Sequence, residues 1–127
     1  MFRSVCAVVL GVVTWFTVAT VGNLALRQFL PGYTEVEAGM NFTLAMQIAR
    51  LALGLVSSLS AGLAAVAVSR PSGYAVKVVA AGMVLLFLPV HYSLWAKFPV
   101  WYHAFFLITL APAVLLGAAV LRKGRSR

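Results

Sequence analysis

Length, composition and charge exclude an ordinary soluble globular protein. The chain has 127 residues, of which 63% are hydrophobic and 9% charged, whereas about a quarter of the residues of a soluble domain are charged. The net charge is +8, but the basic residues stand singly between apolar runs or near the C-terminus. This distribution indicates that the basic residues contact lipid headgroups and set the membrane topology. No nucleic-acid partner is expected. We predict one transmembrane domain over residues 1–127, with the lipid bilayer as its surroundings and partner.

The first predicted span covers residues 4–26. This uncharged run follows Arg3, ends at Arg27 and is long enough to cross a bilayer. A cleaved signal peptide is the alternative, but the run is longer than the roughly 7–15 residues of a signal h-region. Trp15 falls in mid-span, where we expect it to face lipid or another helix. Polar residues at every third position predict a stripe for helix packing or a polar path: Thr14, Thr17, Thr20 and Asn23.

Residues 28–49 form the longest connection between two apolar runs. A turn signal at Pro31-Gly32 and both acidic residues, Glu35 and Glu37, lie here, so this segment has room for structure outside the bilayer. The second predicted span follows at residues 45–68. Small residues four positions apart predict that another helix approaches this span closely, either within the bundle or from a second protomer: Gly54, Ser58 and Gly62.

Two further apolar runs predict spans over residues 76–95 and 99–121. A basic turn, Arg70-Pro71-Ser72-Gly73, separates them from the second span, because proline and glycine end a helix. Pro89 and Pro112 fall inside the two runs and predict local kinks that a bundle tolerates. The predicted fold is therefore all-α, an integral membrane four-helix transmembrane bundle.

The basic residues are divided unevenly between the two sides of such a bundle. Arg27, Arg50 and Lys97 fall on one side, together with both glutamates. The other seven basic residues fall on the side of the two termini: Arg3, Arg70, Lys77, Arg122, Lys123, Arg125 and Arg127. Because positive charge accumulates on the cytoplasmic side, we expect both termini to be cytoplasmic.

The third and fourth spans meet in a tight hairpin at Lys97. Aromatic residues on both sides of it are typical of a membrane surface: Tyr92, Trp95, Phe98, Trp101 and Tyr102. We expect Trp95 and Trp101 to lie at one depth, at the headgroup boundary, and regard them with Tyr102 as candidate interface residues. On this basis Trp101→Ala is predicted to disturb the seating of the hairpin or partner binding more than Trp15→Ala disturbs anchoring in the membrane.

The two histidines, His91 and His103, are equally distant along the chain from Lys97, so a helical hairpin places them at about one depth. A pair of imidazoles suits a haem or metal, or a quinone-binding electron carrier, but no cysteine or carboxylate stands near enough to complete a metal site. We therefore expect interfacial histidines bonded to water, headgroups or backbone, with no cofactor or metal.

No motif in the sequence predicts catalysis. The apolar runs hold no Asp or Glu to couple a proton or cation to transport, and no G-x-S-x-G, H-E-x-x-H or glycine-rich phosphate loop occurs. We therefore expect no enzyme. The leading hypothesis is an accessory or structural membrane protein that acts through helix contacts with itself, as a homo-oligomer, or with a membrane-protein partner. The alternative is a small oligomeric transporter or channel of four-span protomers.

The segment Lys97-Phe-Pro-Val-Trp-Tyr-His103, with Pro112 and Gly117 beyond it, resembles a group of small uncharacterised bacterial four-span proteins. The last helix of those proteins opens with a Pro-x-Trp-Tyr-like element. A weaker likeness lies in residues 57–65, where the group has a Gly/Ala-rich helix. The resemblance implies an inner-membrane location and no known activity. This chain has Val114-Leu-Leu-Gly-Ala where the group has a Trp-Leu-Gly-Gly-like patch.

Overall fold

A computed structural model describes residues 2–69 and 74–125, without the side chain of Arg125. Within these residues the chain forms five helices: α1 Phe2–Phe29, α2 Tyr33–Glu37, α3 Leu44–Val68, α4 Tyr74–Ser93 and α5 Val100–Arg125. The four longer helices are long and apolar enough to span a membrane, which confirms the predicted all-α transmembrane bundle. The predicted turn at Arg70-Pro71-Ser72-Gly73 lies outside the described residues, as do Met1, Ser126 and Arg127.

Local sequence signals explain where the helices begin and end. α1 ends shortly before Gly32, whose positive φ of 78° turns the chain into α2. α3 begins after Thr43, whose hydroxyl accepts a hydrogen bond from the Met46 amide at 3.3 Å. α4 ends at Ser93 and a turn follows, so Trp95 lies in the turn and not at the end of a helix as predicted.

The order of the helices around the bundle differs from their order along the chain. α3 is antiparallel to α1, since Arg3 Nε donates to the Val68 carbonyl at 3.2 Å at one end of the pair. α3 and α5 run parallel, since Gly54 lies against Phe106 and Gly62 against Val114. α4 completes the bundle between α5 and α1. The end of the bundle that holds α2, the start of α3 and the α4–α5 turn is called the α2 end below.

α3 and α5 touch through their backbones. A Cβ atom on Gly62 would collide with the Val114 carbonyl oxygen, and a Cβ on Gly117 would collide with the Leu59 carbonyl oxygen. Each helix therefore needs a glycine where the other passes. The small residues predicted to receive a neighbouring helix are thus used within this chain: Gly54 lies against Phe106, and Ser58 bonds to Trp15.

The outer surface of the bundle is apolar along every long helix. Large hydrophobic side chains are exposed on all four, among them Val13, Val56, Leu85 and Ile108. Only Ala7, Gly11 and Trp15 are buried along α1. Such surfaces would be unstable in water, and they are what a multi-pass membrane protein presents to lipid.

Candidate functional site

Arg50, which the sequence analysis assigned only to one side of the bundle, lies inside its α2 end. Its Nη1 atom donates to the Tyr33 hydroxyl at 2.8 Å, and its Nε atom donates to the Tyr102 hydroxyl at 3.3 Å. The guanidinium carbon lies 4.7 Å from the centre of the Phe42 ring. Phenol oxygens and an aromatic face therefore surround this charge.

A second arginine at this end is paired with an acid. Arg27 Nε lies 2.7 Å from Glu37 Oε1, and Arg27 Nη2 donates to Oε2 at 3.2 Å. Asn23 Nδ2 also donates to Glu37 Oε2, at 2.8 Å. The bond from Arg27 holds the pKa of the Glu37 carboxyl below its usual value, against the opposing effect of partial burial.

Tyr33 joins the two groups into one network. Its hydroxyl donates to Asn23 Oδ1 at 2.5 Å while accepting from Arg50, so hydrogen bonds run without a break from Glu37 to Arg50. Tyr33 has 0% of its surface exposed. The short helix α2, which sequence reasoning did not predict, thus closes this end of the bundle and connects α1 with α3.

The network carries more positive than negative charge. The sequence has two acidic residues, Glu35 and Glu37, and only Glu37 belongs to the network. Both oxygens of Glu37 are bonded to Arg27, and among the described residues Arg50 has no carboxylate within ion-pair distance. Glu37 attracts Arg50 only at longer range, so Arg27, Glu37 and Arg50 together carry a net positive charge.

Next to this network is a cavity of about 430 Å³, lined by α1, α3, α4 and α5. Its wall is largely aromatic and aliphatic: Trp15, Phe16, Leu53, Phe87, Leu94 and Phe106. Polar groups lie toward the α2 end: Asn23, Arg27, Glu37, Arg50, His91 and Tyr102. Among the lining residues, Phe16 and Leu24 of α1 and Val90 of α4 are exposed, so the cavity opens sideways between these two helices.

His91 and His103 meet each other. Their Nδ1 atoms are 2.6 Å apart, so one Nδ1 carries a proton and donates a hydrogen bond to the other. His91 lines the cavity, and His103 stacks on the Trp95 ring with centroids 4.9 Å apart. This contact agrees with the prediction that the two histidines lie at equal depth. It does not agree with the expected hydrogen bonds to water, headgroups or backbone, because the two Nδ1 atoms bond to one another.

The histidine geometry does not suit a metal bound between the two Nδ1 atoms. Two metal–nitrogen bonds of about 2.0–2.1 Å at tetrahedral or wider angles hold the nitrogens more than about 3 Å apart. The described residues also contain no group of three metal-ligating side chains. A metal would therefore have to separate the imidazoles and break their bond.

The predicted aromatic belt divides into two sets. Trp95 and Trp101 are exposed, at 54% and 44%. Phe98 and Tyr102 are each 5% exposed and stack on one another, with centroids 4.3 Å apart. Phe98, just before α5, and Tyr102, in its first turn, thus pack inside the bundle against Arg50, while their depth in the membrane stays a prediction.

The polar stripe of α1 is also divided. Asn23 is bonded into the network, and Thr20 lines the cavity while remaining exposed. Thr17 is exposed and Thr14 is half-buried, and neither lines the cavity. A polar path along all four positions is therefore not seen in the part of the chain that the structure describes.

Comparison of the chain with protein-family models, with curated protein sequences and with solved structures found no match. The resemblance at residues 97–103 therefore leads to no family assignment. The fold itself shows the architecture of a multi-pass membrane protein with four candidate spans.

Proposed function

We propose that this protein is an accessory, non-enzymatic membrane protein that binds a small amphiphilic molecule in the cavity between α1 and α4. The observation that carries the proposal is the cavity itself. Its volume of about 430 Å³ falls in the range of roughly 300–1,000 Å³ that is typical of small-molecule sites. Its walls are mainly apolar, and its polar groups converge at one end, as in a site that orients a two-part ligand.

The side opening supports an amphiphile over a water-soluble ligand. Phe16 and Leu24 border the cavity on α1 and Val90 borders it on α4, all within candidate membrane spans. A molecule that enters between these helices would come from the lipid phase. Its apolar part would lie against Phe87 and Phe106, whose ring centroids are 5.1 Å apart.

We place the protein in the bacterial inner membrane with both termini in the cytoplasm. The uneven distribution of basic residues supports this orientation, and the network and cavity then lie near the outer side. Reporter fusions after Gln28, Lys97 and Arg127 test it. A fusion after Arg127 that reports a periplasmic location would overturn the orientation.

Contacts with a second copy or with a membrane-protein partner belong to the same proposal. Gly62 already packs against α5, so the small face of α3 is occupied within the chain. Trp95 and Trp101 remain exposed beside the α4–α5 turn and offer the best surface for such a contact.

A small oligomeric transporter or channel is the second candidate, and the cavity also favours it as a substrate site. The polar groups at the α2 end and the aromatic wall would then serve a passing molecule. Uptake or efflux in reconstituted vesicles separates the two: binding without movement of the amphiphile across the bilayer supports the accessory role.

The binding proposal is tested with the fluorescence of Trp15, which lines the cavity and is 5% exposed. Replacing Trp95 and Trp101 with Phe leaves Trp15 as the only one of three tryptophans. In nanodiscs, an amphiphile with a brominated chain should quench Trp15 saturably, because bromine quenches only at short range. Absence of saturable quenching by every amphiphile tested would overturn the proposal.

A matched pair of variants controls for quenching from the surrounding lipid. Ala19 lines the cavity, so Ala19→Phe should fill it and remove the saturable component. Ala25 is exposed on the same helix and does not line the cavity, so Ala25→Phe should leave quenching unchanged. Equal quenching in both variants would show that the bromine reaches Trp15 from outside the cavity.

A further inference from the structure

We infer that the cavity takes a single-chain amphiphile with an anionic head, and that Arg50 binds the head; this inference rests on the proposed function and deepens it.

The first step is the charge of Arg50. Removing a guanidinium from water is unfavourable unless a counterion or several hydrogen bonds replace the lost solvation. Arg50 has two phenol oxygens and the face of Phe42, and no described carboxylate forms an ion pair with it. An anion beside Arg50 would form the direct ion pair that Arg50 lacks and would neutralise this net positive charge.

The second step is the donor count. A guanidinium has five N–H donors in a planar fork that matches carboxylate and phosphate oxygens. The bonds to Tyr102 and Tyr33 use one donor on Nε and one on Nη1. No described residue accepts from Nη2, and Arg50 borders the cavity. Donors therefore remain for a bound head group.

The third step is the state of Glu37. It is the acid that borders the cavity, and its two oxygens are held by Arg27 and Asn23. The Arg27 guanidinium offsets its charge, so the polar end keeps the net positive charge of Arg50. A cationic head would meet no free carboxylate there, and a neutral head such as a quinone would leave Arg50 without a direct ion pair.

The fourth step is size. A cavity of about 430 Å³ lies near the lower end of the range for small-molecule sites, which suits a head and part of one chain rather than a two-chain lipid. The chain would pass the Phe87 and Phe106 rings and leave between Leu24 and Val90 into the bilayer. Carboxylate and phosphate heads share the required chemistry.

The test uses the protein with Trp15 as its only tryptophan, in zwitterionic phosphatidylcholine nanodiscs at an alkaline pH. The probes are a dibrominated stearic acid, its methyl ester and a lysophosphatidic acid with the same chain. We expect one or both anionic probes to quench Trp15 at concentrations at least about tenfold lower than the ester requires. This factor corresponds to the loss of one charge-assisted hydrogen bond in the ester complex. The acid and the lysophosphatidic acid distinguish a carboxylate head from a phosphate head.

Two charge variants show whether Arg50 is responsible. Arg50→Gln should remove the preference for the anionic probes, and Arg50→Lys should keep part of it. Lys97→Gln removes an exposed charge in the α4–α5 turn, outside the cavity, and should keep the full preference. Preference lost in Lys97→Gln but kept in Arg50→Gln would overturn the assignment.

The comparison of the three probes in the single-tryptophan protein that keeps Arg50 stands even if Arg50→Gln fails to fold. Equal saturable quenching by the acid, the lysophosphatidic acid and the ester would overturn the anionic head while leaving the binding proposal in place. Absence of saturable quenching by all three would overturn both.

Discussion

Trp15 on α1 donates its indole N–H to the Ser58 hydroxyl on α3 at 3.0 Å, within the buried centre of the bundle. Ser58 in turn donates to the Gly54 carbonyl at 2.7 Å, so the indole bonds to a group already ordered by its own helix. The same ring lies 4.7 Å from the Phe87 ring on α4 and 6.3 Å from the Phe106 ring on α5. One side chain of α1 therefore contacts all three other long helices.

Trp15→Ala should be strongly destabilising. It removes a large buried side chain, and such core truncations cost about 3–5 kcal/mol in soluble proteins. Trp101→Ala is the control: Trp101 is 44% exposed, so its loss should change stability far less. Unfolding of both variants in mixed detergent micelles measures the difference. The expectation from sequence concerned hairpin seating and partner binding, so this stability comparison is a separate prediction. A larger loss of stability for Trp101→Ala would contradict the packing of α1.

Gly62→Val should separate α3 from α5, because a Cβ at this position meets the Val114 carbonyl oxygen. Overpacking of this kind costs about 1–3 kcal/mol, and rigid backbone on both sides leaves little room to relax. Thermal unfolding of the purified protein should show a lower Tm.

Gly82→Ala is the matched control for a glycine in a membrane-spanning helix. Apart from its chain neighbours and the nearby backbone of its own helix, no described heavy atom lies within 4 Å of a Cβ built on Gly82. Alanine is also the better helix former by about 1 kcal/mol. Stability should stay the same or rise. Similar losses at Gly62 and Gly82 would show that the α3–α5 contact is not specific.

Glu37 should make stability depend on acidic pH. Because the bond from Arg27 lowers the pKa of Glu37 in the folded protein, its contribution is present above the unfolded pKa of about 4.3 and is lost as pH falls through the lower, folded pKa. Glu37→Gln should flatten the stability profile in that range. Glu35 is exposed and forms no bond with a described residue, so Glu35→Gln should leave the profile unchanged. A profile unaffected by Glu37→Gln would contradict the pairing with Arg27.

The sequence was sufficient to predict four spans, because length, hydropathy and isolated charges act over whole segments. The environment of Arg50 could not be predicted in this way. It depends on α2 folding back so that Tyr33 reaches between α1 and α3. Likewise, Trp101 and Tyr102 are adjacent aromatic residues in sequence, and only the rotation of α5 exposes the first and buries the second. Equal depth of the histidines followed from helical rise alone, whereas their contact required the packing of α4 on α5.

The bond between His91 and His103 should appear as coupling in a double-mutant cycle. The Nδ1 atoms are 2.6 Å apart and both residues are buried, so replacing either histidine with Phe leaves the other polar nitrogen without its partner. Replacing both removes that penalty, while the aromatic contacts with Phe106 and Trp95 are kept.

We therefore expect the double variant to lose less stability than the two single variants lose together. The coupling energy should be about 0.5–3 kcal/mol, and should lie near the lower value because the pair is in a membrane. Unfolding of the four proteins in the same detergent measures it. Strict additivity would show that the bond contributes nothing.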